Sequence, residues 1–146
     1  MEIERKFLIK QLPEELSSYD HYHITQGYLS TDPVVRVREE GEDFVLTYKG
    51  KGLLAREEVN LPLTQEAFRH LIQKADGRII EKTRYRIPHG DYTIELDVFE
   101  GELAPLIMAE VEFPSIEEAN SYVGPAWFDK DVTNDPAYHN SNMSKA

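Results

Sequence analysis

Charge recurs at every second residue in segment after segment of this chain, and that spacing limits the fold more than any other feature. In Met1-Glu2-Ile3-Glu4-Arg5-Lys6-Phe7, a strand places Glu2, Glu4 and Lys6 on one face and Ile3, Arg5 and Phe7 on the other, because successive strand side chains point to opposite sides. Val34-Val35-Arg36-Val37-Arg38 repeats the alternation with bases, Arg36 and Arg38 standing opposite Val35 and Val37. From Phe44 to Lys49, Phe44, Leu46 and Tyr48 oppose Val45, Thr47 and Lys49; along the next segment Arg56, Glu58 and Asn60 oppose Val59 and Leu61. Ile79 to Ile87 carries Lys82, Arg84 and Arg86 on one face, and Tyr92 to Phe99 sets Thr93, Glu95 and Asp97 against Ile94, Leu96 and Val98. Leu106 to Phe113 closes the series with Glu110 and Glu112 opposite Ala109, Val111 and Phe113. With His23 to Leu29 these make eight predicted strands. They are separated by turn chemistry at Thr31-Asp32-Pro33, Glu39 to Asp43, Gly50-Lys51-Gly52 and Pro88-His89-Gly90-Asp91.

Two helices are predicted among them. Thr64 reads as an N-cap for a helix with Ala67, Phe68, Leu71, Ile72 and Ala75 on one stripe, and Gly77 as its left-handed C-cap. Ser115-Ile116-Glu117-Glu118 is a capping box opening a second helix that ends near Gly124. Lys10 to Tyr19 reads as a short helix or turn, and Asp129 to Ala146 as a polar tail with a turn at Asn134-Asp135-Pro136. The length of 146 residues fits one domain spanning 1–146.

Collected by face, the charged set holds the acids Glu2, Glu4, Glu58, Glu95, Asp97, Glu110 and Glu112. Its bases are Lys6, Arg36, Arg38, Lys49, Arg56, Lys82, Arg84 and Arg86, half of the chain's 16 Lys and Arg residues. A sheet with one wet face also turns polar residues to water, but it has no reason to sort them by sign. Here the paired acids fall on the first and the last two strands, and the bases on the strands between. The amphipathic helix needs an apolar sheet face to cover, which leaves the charged face on the other side. Eight antiparallel strands can curl until that face lines the inside of a barrel wide enough for one small ligand. The expectation is an α+β protein: an eight-stranded antiparallel β-barrel, a tunnel with a charged lumen, and helices packed outside.

Composition narrows the contents of such a lumen. There is no cysteine, so disulfides, thiolate metal sites and cysteine nucleophiles are excluded. The five histidines are scattered, which argues against a zinc site. No run of ~18 apolar residues and no signal-peptide core are present, so no membrane partner and a cytoplasmic location are expected. The net charge of −11 argues against nucleic acid, yet an acidic protein binds a polyanion where its bases gather in one sheltered place.

The carboxylate pairs Glu2/Glu4, Glu95/Asp97 and Glu110/Glu112 are ligands for oxygen-loving cations, Mg²⁺ or Mn²⁺, and six carboxylates suffice for two ions. Arginine and lysine suit phosphate, the first as a bidentate fork and the second as a point charge. Six acids, two dications and seven bases leave about +5, close to the roughly −4 to −5 of a triphosphate near neutrality. A single phosphate would leave the lumen overcharged, so the count points to a small-molecule polyphosphate.

These segments carry a resemblance. Glu2-x-Glu4-x-Lys6 looks like the signature of the CYTH superfamily, also called triphosphate tunnel metalloenzymes. Val35-Arg36-Val37-Arg38, Thr47-Tyr48-Lys49, Arg56-Glu57-Glu58, Lys82-Thr83-Arg84-Tyr85, Glu95-Leu96-Asp97 and Glu110-Val111-Glu112-Phe113 follow in the family's order. The ending Asp131-Val132-Thr133-Asn134-Asp135-Pro136-Ala137-Tyr138 also resembles the family's C-terminal segment. The resemblance implies that Glu2, Glu4 and Glu112 hold one metal, and that Glu95, Asp97 and Glu110 serve a second and carry the catalytic step. It implies that Lys6, Arg36, Arg38, Lys49, Arg56, Lys82 and Arg84 hold the phosphates. Arg86 matches no position of that pattern, Glu58 is a lining acid without a role, and relatives often carry a base where this chain has Ala137.

The short bacterial-type members of the family resemble inorganic triphosphatases, and hydrolysis of triphosphate to pyrophosphate and phosphate is the expected activity. Nucleoside or thiamine triphosphatase and class IV-type adenylyl cyclase are the alternatives within the enzyme class, although little chain remains beyond the barrel to build a base pocket. The lone Trp127 is expected to pack. A polyphosphate-binding module without catalysis is the alternative outside that class; it could dispense with one carboxylate pair, and all three pairs are present.

Overall fold

Among the described residues ten strands form where eight were expected, and the difference comes from one broken strand and one short addition. The computed structural model describes residues 1–145; Ala146, the last residue of the expected unit, lies outside them. Strands β1 (Glu2–Ile9), β2 (Asp20–Thr31), β3 (Val34–Glu40) and β4 (Asp43–Lys49) are followed by two short ones, β5 (Ala55–Arg56) and β6 (Glu58–Pro62). Next come β7 (Asp76–His89), β8 (Tyr92–Phe99), β9 (Ile107–Glu112) and β10 (Phe128–Asp131). All pairings are antiparallel, in the order β10-β1-β9-β8-β7-β2-β3-β4-β6, with β5 on β1. Glu57 interrupts what would be a single stave. Its first half pairs with β1 through Glu2 and Arg56, and its second half with β4 through Lys49 and Glu58. That divided stave draws the two ends of the sheet together into a nearly closed barrel. β10 lies along the other end of β1, where Phe7 faces Asp131. Its Asp129-Lys130-Asp131 is exposed on every side chain and shows no alternation, which is why it reads as tail.

Helix α1 (Gln65–Ile72) begins at Thr64, whose hydroxyl accepts from Ala67 N at 3.1 Å. It packs on β2, β3 and β4 and buries Phe68 against Phe44, ring centroids 5.3 Å apart. It stops at Ile72, short of the expected Gly77 cap. Gly77 instead belongs to β7, at φ 66, where a Cβ would press on Ser144 O. Helix α2 (Ile116–Ser121) has the expected N-cap, Ser115 accepting from Glu118 N at 3.1 Å. Its last carbonyls are satisfied from the barrel, since Arg5 Nη1 donates to Ala119 O at 2.8 Å and Tyr122 O at 3.0 Å. Of the stretch from Lys10 to Tyr19 only one 3₁₀ turn forms, Leu16–Ser18. None of the helices among the described residues is long and apolar enough to cross a membrane.

Two apolar clusters hold this arrangement. The first lies outside the wall of β1, β8 and β9, where Ile3, Phe7, Ile94, Leu96 and Val111 meet Phe113, Ala119 and Phe128. Trp127 packs here, edge-on to Phe128 with ring centroids 4.8 Å apart. The second fills one end of the barrel. Ile80, Phe99 and Met108 share the inward face with Lys82, Asp97 and Glu110, two residues along each strand, and they pack with Tyr28, Val132 and Met143. The C-terminal segment folds over this end: Val132 N donates to Lys6 O at 2.9 Å, and helix α3 (Asn140–Met143) lies against β2. The inward face is therefore charged over part of its length and apolar at the covered end.

Candidate active site

The barrel encloses a cavity of about 400 Å³, and the strand order sets the sign of its walls. The first strand pairs with β9, and β9 with β8, so the acids of the first and last two strands become neighbours. Glu4 faces Glu112 and Glu95 faces Glu110 across these ladders. Bases come from β3 and β4, and from β7, which borders the acids of β8. Eleven of the thirteen expected site residues line the cavity: Glu2, Glu4, Glu95, Glu110 and Glu112 among the acids, and Lys6, Arg36, Arg38, Lys49, Arg56 and Arg84 among the bases. Glu58 and Arg86 line it too. Lys82 and Asp97 do not; both are 0 % exposed and lie deeper, beside the apolar end.

Within the acid wall, Lys6 Nζ lies 2.8 Å from Glu110 Oε1 and 3.5 Å from Glu4 Oε1. Lys49 Nζ donates to both oxygens of Glu2, at 2.9 and 3.0 Å, and Arg56 Nε approaches the same carboxylate at 3.7 Å. Among the described residues no three carboxylates or histidines converge closely enough to coordinate one ion; Glu2, Glu4, Glu95 and Glu110 each lean toward a base. Even so the wall is short of positive charge. Burial raises the carboxyl groups of Glu2, Glu4, Glu95 and Glu112 above their ordinary value. The charge of Glu110 adds to the effect at Glu4, as do Glu2 and Glu58 at Glu112. Glu110 is the exception: burial opposes its charge, but Lys6 and Arg84 outweigh burial and hold it well below the usual carboxylate range.

The base wall has the opposite imbalance. Burial, with Arg36 and Arg84 close by, lowers Arg38 from its ordinary value. Arg38 Nε donates to Gln26 Oε1 at 2.7 Å and its Nη1 to Glu40 Oε1 at 2.9 Å. Arg36 Nη2 donates to Thr47 Oγ1 at 3.2 Å, and Thr47 to Asn60 Oδ1 at 2.6 Å. Gln26 Nε2 and Arg36 Nε are buried without a partner among the described residues. Both are donors, as an anion site requires. A carboxylate-rich wall with raised acids fits a hard dication, and a wall of crowded bases with orphaned donors fits phosphate oxygens.

Some of the lining was not foreseen. Glu40 continues the spacing of Arg36 and Arg38 but stands in a stretch with hairpin-loop chemistry, and Gln26 sits on a strand whose inward face is uncharged. With Glu40 included, the cavity carries seven acids and seven bases. It is formally balanced when empty, and so suited to taking up a cation and a polyanion together. Asn140 and Ser141 of α3 also reach it, an outcome no spacing in the tail pointed to.

The model of the CYTH domain matches residues 1–128. An inorganic triphosphatase of Nitrosomonas europaea is 40% identical over 149 residues, covering 98% of this chain and 96% of the relative. One of Acetivibrio thermocellus is 36% identical over 152 residues, covering 99% and 93%. Among solved structures, the crystal structure of an inorganic triphosphatase superposes with a TM-score of 0.74 at 35% identity, covering 100% of this chain and 95% of that one. A putative adenylyl cyclase from Hippeastrum with dominant triphosphatase activity superposes at 0.60 with 17% identity, covering 82% and 83%, a likeness of fold alone.

Proposed function

The chain belongs to the CYTH domain family, and from that membership we propose that it is an inorganic triphosphatase, hydrolysing triphosphate to pyrophosphate and phosphate inside the barrel. The observation that carries the reading is a lumen lined by seven acids and seven bases, with the acids concentrated on β1, β8 and β9. Such a lumen binds neither a bare anion nor a bare cation well, but accepts a metal-bound polyphosphate whose two charges meet both.

Lys6, Arg36, Arg38, Lys49, Arg56 and Arg84 hold the phosphate chain, their donors replacing its water shell. Gln26 keeps Arg38 in place and Thr47 keeps Arg36, so the forks are set before substrate arrives. Glu2, Glu4 and Glu112 would hold one Mg²⁺ or Mn²⁺, with Glu95 and Glu110 serving a second; Glu2 must then give up Lys49, and Glu110 must share with Lys6. Bound there, the metal supplies charge neutralisation on phosphate oxygens and a water of lowered pKa. Released from Glu2, Lys49 turns its ammonium to phosphate, so cation and anion binding support each other. The whole chain works as one domain, on a small molecule rather than nucleic acid, in the cytoplasm.

A second reading rests on a cavity of about 430 Å³ that shares Arg86, Glu95 and Glu112 with the lumen and is lined further by Tyr92, Thr93 and Phe113. It offers space for an organic group on the terminal phosphate, as in a nucleoside or thiamine triphosphate. Phosphate release from triphosphate, pyrophosphate, ATP and thiamine triphosphate, with Mg²⁺ and then Mn²⁺, separates the two. Triphosphate is expected to be turned over fastest; faster release from ATP or thiamine triphosphate would reverse the order of the readings.

A further inference from the structure

Asp97 alternates with Glu95 along β8, and by spacing alone the two are equivalent. The fold separates them. Glu95 lines the cavity, while Asp97 is wholly buried, level with Met108 across the β8–β9 ladder and with Arg84 across β7–β8. Both of its oxygens are engaged. Arg84 Nε donates to Oδ1 at 2.8 Å and Arg84 Nη2 to Oδ2 at 2.9 Å, a two-pronged pair, and Lys82 Nζ stands 2.7 Å from Oδ2. Lys82 is itself 0 % exposed and lies over the Phe99 ring, 5.2 Å from its centroid.

One carboxylate thus grips a buried guanidinium and stands against a buried lysine, and a dication would have to displace both to reach it. Arg84, by contrast, touches the lumen: its Nη1 lies 3.4 Å from Glu95 Oε2, and its Nη2 3.8 Å from Glu110 Oε2. A guanidinium is planar, so gripping the Nε and Nη2 edge fixes the direction of the remaining N–H groups. We propose that Asp97 is a positioning residue rather than a metal ligand, holding Arg84 by that edge so that its free donors face the lumen. The proposal deepens the triphosphatase reading in one respect, that Arg84 is taken to hold phosphate.

The placement can be tested without substrate. In ¹⁵N spectra of the metal-free protein, the Arg84 Nε–H signal should be slow to exchange with water. In Asp97→Asn it should exchange at least tenfold faster. Asp97→Glu keeps the charge but lengthens the side chain, so it should loosen the same signal, and it answers the question should the asparagine variant not fold. Mn²⁺ binding by calorimetry gives the second readout: Asp97→Asn should stay within twofold of wild type, whereas Glu4→Gln should weaken binding tenfold or more. Kinetically, Asp97→Asn should raise KM for triphosphate about tenfold without changing the metal concentration for half-activation. An Arg84 signal unchanged in both variants, or a tenfold loss of Mn²⁺ affinity in Asp97→Asn, would overturn the assignment. If the wild type fails to hydrolyse triphosphate, the functional reading falls, and the spectra and the metal titration still decide the role of Asp97.

Discussion

Lys6 Nζ lies 2.8 Å from Glu110 Oε1, directly across a register pair of β1 and β9. Both side chains are under a tenth exposed, so removing one partner leaves a buried charge uncompensated, at a cost of about 3–5 kcal/mol. Lys6→Met is expected to lower the urea midpoint of the metal-free protein accordingly. The sign with pH follows from Glu110, whose carboxyl is held well below its ordinary 4.5. Its contribution is complete above that value and is lost as pH falls toward the folded one. The gap between Lys6→Met and wild type should therefore narrow in acid, and a gap that widens would count against the pairing.

The raised carboxyls of Glu2, Glu4, Glu95 and Glu112 imply a second pH dependence, in metal binding. A cation requires the ionised form, and below their raised values these acids hold protons that the metal must displace. In the metal-free protein they oppose folding when ionised, so that penalty lifts as pH falls through the raised values. Mg²⁺ affinity should keep climbing above the pH at which an ordinary surface carboxylate is already fully ionised. Calorimetric titrations at three pH values test this; a flat profile would mean that these acids are not the ligands.

Metal removal should abolish turnover, and Glu4→Gln should do the same with the fold intact by circular dichroism. Undiminished phosphate release in excess chelator would sink the metal-dependent reading.

The bases make a separate prediction. Arg38 is buried in the lumen wall, while Arg69 sits exposed on α1. Arg38→Ala should weaken triphosphate binding by about 1.5–3 kcal/mol for the lost charge-assisted bonds, and Arg69→Ala should leave it unchanged. Equal affinities by calorimetry would remove Arg38 from the site.

The strand faces were readable because a period of two is a local property. Glu2, Glu4 and Lys6 share a face whatever they pair with, and so do Arg36 and Arg38. Depth along the barrel is not local. Lys82 and Asp97 obey the same period as Arg84 and Glu95, yet lie two residues nearer the apolar end, and only the stagger of neighbouring strands decides which pair meets the lumen. The closing stave was hidden for a related reason. Glu57 interrupts it, so its halves pair with strands far apart in sequence, β1 and β4. The tail carried no pattern at all: Thr133 Oγ1 accepts from Lys6 N at 2.9 Å, a contact across 127 residues that no spacing announces.

The direction of attack is the remaining prediction. No serine or histidine stands among the acids and bases on the inner faces of β1, β3, β4, β7, β8 and β9, and the lumen carboxylates of β1, β8 and β9 are assigned to metal rather than to a phospho-enzyme. Water is then the attacking group, and the carboxylates of Glu95 and Glu110 lie on β8 and β9, beside Arg84 and Lys6 and apart from Arg36 and Arg38 on β3. In-line displacement at the terminal phosphorus transfers the water oxygen to orthophosphate and expels pyrophosphate, whose growing charge Arg36 and Arg38 are placed to meet. A single turnover in ¹⁸O-labelled water should therefore put the label in the released orthophosphate alone. Label in the pyrophosphate would mean attack at an inner phosphorus. The central phosphorus, not a terminal one, would then be held where water attacks, with orthophosphate as the leaving group.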